Sequence, residues 1–187
     1  MSFCKCHLWL IFVGVVSLAK AQSADSITIT FPKIIVKNAN QEILLVYDDN
    51  RKAYEVPGAM LEGPISFKAY IDTIAAEMGI QYFKFTLAGI FTYKYPNRYR
   101  TIVRPYFIVD FSGYRDDRAF DQRHYRWFSV QDAINEIPYP ASARIVTKVM
   151  KEPLTVWSAT FEEYGYTNPI DKKKITFRVL EEFYTLH

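Results

Sequence analysis

The stretch from Gly58 to Ile80, GAMLEGPISFKAYIDTIAAEMGI, constrains the fold most, because it writes a helix with both ends marked. Pro57-Gly58 breaks the preceding segment, and a loop runs to Pro64. Ser66 suits a helix N-cap, and Gly79 suits a C-terminal stop. Between them Ile71, Ile74, Ala75 and Met78 recur at i, i+3, i+4 and i+7, which makes one apolar face. That face needs a sheet or another helix to cover it.

The flanks supply strands. Residues 27–31, 33–37 and 43–47 are apolar and β-branched, with turns at Asn38-Ala39-Asn40 and over residues 48–53. Residues 82–93 and 101–111 are long aromatic runs around a YPNRY turn and predict a hairpin. A short strand follows at 125–128, then a helix at 130–136 stopped by Pro138 and Pro140, and a second helix at 141–151. Beyond residue 152 come an aromatic run at 156–166, a Thr-Asn-Pro turn, the lysines 172–174, and a strand or helix at 175–185. Strands interleaved with a mid-chain helix and two later helices give an α+β layered architecture.

Residues 1–21 carry the marks of a secretory leader: Lys5 and His7, an uncharged apolar run from Leu8 to Ala19, and the small-x-small triplet Ala19-Lys20-Ala21. The apolar run is shorter than the ~20 residues that span a bilayer. The mature chain is therefore expected to have no stable membrane span and to be secreted or periplasmic. Both cysteines, Cys4 and Cys6, fall within the leader, so the mature chain would have no thiol for a disulfide, nucleophile or metal ligand. Removing the leader removes Lys5 and Lys20 and no acid, which lowers the formal charge from +3 to +1. No concentrated basic patch remains to suggest nucleic acid as a partner. The chain also lacks G-x-S-x-G, H-E-x-x-H, P-loop and G-x-G-x-x-G signatures.

The spacing of residues 58–80 resembles the Nudix box: G, five residues, E, seven residues, then R-E-U-x-E-E-x-G-U, with U a bulky aliphatic. In that register Pro64 stands at the first Glu, Asp72-Thr73 at the Arg-Glu pair, Ala76-Glu77 at the Glu-Glu pair and Gly79-Ile80 at the close. Tyr54–Gly58 is similar to the family's W-x-L-P-G lead-in. Trp127-Phe128-Ser129-Val130 with Asp132-Ala133 is similar to the segment that opens its next helix. The resemblance covers about residues 27–151. It implies a Nudix-like α/β/α sandwich with a mixed β-sheet over residues 22–151, and a C-terminal extension over 152–187 packed on the same domain.

The resemblance also implies a chemistry, the Mg²⁺- or Mn²⁺-dependent hydrolysis of nucleoside diphosphate derivatives. Mg²⁺ needs carboxylates, and the box places them at i, i+3 and i+4 on one helix face. Here those positions are Thr73, Ala76 and Glu77, and Pro64 removes the loop carboxylate. Three of the four motif glutamates are replaced. The expectation is a degenerate site that has lost standard hydrolysis and binds a small molecule or a protein, with no cofactor certain. The alternative is a divergent Mg- or Mn-dependent hydrolase of a nucleotide-like phosphoanhydride. It would use Glu77 with Glu62 as catalytic acids, and Glu77 with Asp72 as metal ligands. His124, the acidic loop Asp116, Asp117 and Asp121, and the tail pair Glu162-Glu163 read as structural or solvated groups.

Overall fold

In a computed structural model, residues 27–96, 98–167, 171 and 173–187 are described. The expected leader with Cys4 and Cys6, the Asn168-Pro169 part of the expected turn and Lys172 lie outside the described residues. The elements in order are β1 (Ile27–Thr30), β2 (Lys33–Lys37), β3 (Ile43–Asp48), β4 (Ala53–Glu55), α1 (Phe67–Glu77), β5 (Ile80–Tyr95), β6 (Arg98–Tyr114), β7 (Tyr125–Phe128), α2 (Val130–Glu136), α3 (Pro140–Lys151), β8 (Trp157–Tyr164) and β9 (Thr176–Thr185). The strands form one mixed sheet in the order β4-β3-β2-β6-β5-β8-β9, with β1 also on β6 and β7 also on β3. β1 and β2 both run parallel to β6, at residues 100–103 and 106–110. Pro32, which has no N–H to donate to a ladder, separates them.

The middle of the sheet is buried on both faces, and strand alternation divides it between two cores. Ile34, Val36, Leu44, Phe107 and Val109 pack on one side with Tyr70, Ile71, Ala75 and Met78 of α1. Ile35, Ile43, Leu45, Tyr106 and Ile108 point the other way, against Ala133 and Ile137 of the α2 region and Ile145, Val146 and Val149 of α3. This is an α/β/α sandwich, which explains why KIIVK and ILLVY read as continuous apolar runs.

Local signals set the helix ends. The Ser66 hydroxyl accepts the Ala69 N–H at 3.1 Å, and Ser129 does the same for Asp132 at 3.1 Å. Gly79 ends α1 at φ +70°, a left-handed conformation that costs glycine nothing. The hairpin is longer than the expected 82–93 and 101–111. Register shifts at Gln81/Tyr82, Tyr82/Lys84, Leu87/Gly89 and Lys94/Tyr95 let the ladder twist and continue from Ile80 to Tyr114. The 175–185 segment is a strand: β9 pairs antiparallel with β8, and β8 runs parallel to β5 over Gly89–Lys94. Residues beyond 152 thus extend the same sheet. Among the described residues no helix is long and apolar enough to cross a membrane.

Gly58 is required by contact. A Cβ there would lie 2.3 Å from the Pro32 carbonyl oxygen and 2.8 Å from Lys33 Cδ. Gly58→Ala is expected to cost about 1–3 kcal/mol, the usual range for overpacking, in denaturant unfolding. A loss indistinguishable from zero would contradict this packing.

Candidate functional site

Helix α1 is held against the sheet by a buried tyrosine. The Tyr70 hydroxyl accepts the Ala59 N–H at 2.6 Å and donates to the Pro32 carbonyl at 3.0 Å. Burial pushes its pKa up to about 12. This fixes the Gly58-Ala59 turn over the helix and sets where the box positions point.

Those positions do not assemble a metal site. Thr73 donates its hydroxyl back to the Ala69 carbonyl at 2.9 Å. Ala76 has no donor atom. Glu77 is exposed, in a cleft with Val46, Arg118, Asp121, His124 and Tyr125. Asp72 lies in a different groove, where its carboxylate accepts from Lys68 Nζ and from the Tyr82 hydroxyl, each at 2.6 Å. The Lys68 bond first, then that of Tyr82, lowers its pKa. Five residues at about 100° each set Asp72 and Glu77 about 140° apart around the helix, so they face different surfaces. Glu62 is exposed in the loop before α1. Among the described residues no three His, Cys, Asp or Glu side chains gather as a metal-binding group. One box carboxylate falls short of what a cluster of two or three Mg²⁺ or Mn²⁺ ions needs, since each such ion ordinarily takes one or two carboxylates beside its phosphate ligand.

His124 is engaged on both sides of its ring. Nδ1 lies 2.8 Å from Asp121 and Nε2 lies 2.8 Å from Asp49. The Asp121 bond, followed by that of Asp49, raises its pKa above 6.5, while the His124 bond, followed by Arg123, depresses Asp121. The clamp ties the 115–124 loop to the β3–β4 turn beside Glu77, leaving no ring nitrogen for a general base.

A second cleft, of about 560 Å³, opens on the α2–α3 side of the sheet. Lys33 of β2, Glu55 of β4, Arg104 of β6, Tyr95 of β5, Tyr139 before α3 and Glu163 of β8 line it. Lys33 is 4% exposed. Its ammonium donates to Glu55 at 3.1 Å and to the Val56 carbonyl at 2.8 Å. Burial lowers its pKa against the opposing pull of Glu55. Arg104 stacks over Tyr93 at 3.9 Å and donates to the Tyr95 hydroxyl at 3.1 Å. Tyr95 in turn donates to Glu163 at 3.3 Å, and the Tyr166 hydroxyl donates to the same carboxylate oxygen.

Glu163 corrects the reading of Glu162-Glu163 as solvated, since it is 1% exposed. Burial, partly offset by Arg104 and the two tyrosines, raises its pKa. The signal was the β8 alternation: Trp157, Ala159, Phe161 and Glu163 share the inward face. Lys33 and Arg104, also unmarked in sequence, sit on strands whose alternate residues are core.

No protein-family model and no curated protein matches the sequence. Solved structures match the fold. The MutT mutator protein from Bacillus halodurans superposes with a TM-score of 0.62 at 16% identity, over 81% of this chain and 97% of its own. A Nudix hydrolase from Nitrosomonas europaea gives 0.55 at 16% identity, over 67% and 90%. The Ap4A hydrolase of C. elegans gives 0.51 at 16% identity, over 67% and 98%. The chain has the Nudix-hydrolase fold.

The clamp makes a pH prediction. A raised histidine pKa contributes stability that is complete below pH 6.5 and fades as pH rises through the folded value; the depressed Asp121 contributes above 3.8 and fades as pH falls through its own. The clamp is therefore fully charged across the range between them. An NMR titration of His124 should show a midpoint above 6.5 that falls in Asp121→Asn; a wild-type midpoint at or below 6.5 would contradict it.

Proposed function

We propose that this chain is an exported Nudix-fold binding protein that does not perform metal-dependent hydrolysis of nucleoside diphosphate derivatives. The carrying observation is the α1 surface: Thr73 is turned back on its own helix, Ala76 carries no ligand atom, and Glu77 stands without a second carboxylate of the box. Asp72 is committed to Lys68 and Tyr82 in a different groove. The ligand site on this reading is the 560 Å³ cleft around Lys33, Arg104 and Glu163, whose size and mixture of aromatic and buried polar groups suit a small molecule. A scaffold of this kind supports binding without the family's reaction because function resides in the site and not in the fold. Export rests on the leader at residues 1–21, and N-terminal sequencing of exported protein beginning at Gln22 tests it.

The second reading, a divergent hydrolase, draws on Glu77 sharing a cleft with Asp121 and His124. Phosphate release from nucleotide sugars and dinucleotides with Mg²⁺ or Mn²⁺ separates the two, with Glu77→Gln as the control. The binding reading expects no turnover above the Glu77→Gln background. Turnover in wild type that Glu77→Gln abolishes would overturn it in favour of the hydrolase.

A further inference from the structure

The cleft around Glu163 and Arg104 also indicates what kind of molecule it takes. Its charges are largely matched within the protein. Lys33 and Arg51 both lean on Glu55, at 3.1 and 3.2 Å. Arg104 and Glu163 face each other through the Tyr95 hydroxyl. An entering phosphate would find its cations engaged and a buried carboxylate beside it.

Two polar atoms of the floor remain. Glu163 Oε1 and Arg104 Nε are buried without a hydrogen-bond partner among the described residues. Such orphaned groups cost about 1–3 kcal/mol each, so a ligand that satisfies them gains selectively. One is an acceptor and the other a donor, and a hydroxyl group can answer both. Both lie beneath the solvent-reached surface. Entry therefore displaces Tyr166, which is 39% exposed on the coil after β8 and whose hydroxyl holds the other Glu163 oxygen.

The aromatic walls narrow the choice. Tyr95 and Tyr166 meet at 66° with centroids 5.6 Å apart, and Tyr139 and Tyr166 at 25° and 6.0 Å. A flat heterocycle held between two rings needs them about 7 Å apart, twice the ~3.5 Å contact distance. These rings touch each other, and the displacement of Tyr166 leaves Tyr95 and Tyr139 as the remaining aromatic walls. They present single faces and edges, which suit the C–H face of a saturated ring.

Building on the binding reading above, we propose that the cleft binds a neutral polyhydroxylated ring, the chemistry of a sugar. Glu163, supplied by the C-terminal extension, accepts from its hydroxyls, and Arg104 donates to them. Glu163 is then the residue that selects against phosphorylated ligands.

Isothermal titration of the mature chain at pH 7 tests this, using glucose, galactose, N-acetylglucosamine and maltose, the corresponding sugar phosphates, and adenosine and guanosine. At least one neutral sugar should saturate, and its phosphate should bind at least about tenfold more weakly. Glu163→Gln should weaken the sugar about tenfold, the size of one charge-assisted hydrogen bond, with an unchanged circular dichroism spectrum. If that variant does not fold, the comparison of sugar with sugar phosphate on wild type decides. The proposal is overturned if no neutral sugar binds, if the phosphate binds more tightly, or if a folded Glu163→Gln leaves the affinity unchanged. Saturable nucleoside binding without sugar binding would sink this ligand class and leave the binding reading standing. Metal-dependent turnover in the assay above would sink the binding reading whatever the sugars do.

Discussion

Strand β6 is the constraint on which the rest of the structure depends. It carries β1 and β2 in parallel on one edge and β5 antiparallel on the other. Its alternation sends Tyr106 and Ile108 into one core and Phe107 and Val109 into the other. Both helical layers are therefore fixed to one strand, and a one-residue slip would exchange the two cores. The same alternation places Arg104 on the inward face with Tyr106, in the N-terminal half of the strand where the cleft opens. Fold and cleft are two consequences of one register.

How much of this was legible follows from the range of each interaction. The ends of α1 were written locally, in Ser66 and Gly79, and the structure places them there. The α+β class was legible because apolar period and punctuation agreed along the chain, and the α/β/α layering was implied by the resemblance of residues 27–151 to the Nudix family. The parallel pairings of β2 with β6 and of β5 with β8 join distant segments, and no local pattern encodes them. The hairpin was read too short because its bulges interrupt the alternation that marks a strand. β9 was ambiguous because its burial is slight: most of its residues are exposed, which blurs its period.

The site was legible in one half. The box register points to Glu77 as the one carboxylate at a motif position, and helix geometry explains why Asp72 faces a different groove from it. The cleft residues were hidden for different reasons. Lys33 opens a strand, where lysine ordinarily reaches solvent, but the Pro57-Gly58 turn closes over it. Glu163 sits beside Glu162 in an acidic pair that reads as solvated, yet adjacent residues of a strand face opposite sides. One became a buried acceptor beside Arg104, and the other a half-buried partner of Arg178.

On the binding reading proposed above, α1 presents the helix face of a metal-binding box with only Glu77 among its carboxylate positions. The most direct measurement is the Mn²⁺ affinity of the wild-type chain beside a Thr73→Glu, Ala76→Glu variant. One carboxylate leaves wild type with the weaker binding, and restoring the i, i+3, i+4 set on one helix face gives the variant measurably tighter binding. Tight Mn²⁺ binding by wild type that Glu77→Gln abolishes would contradict the account.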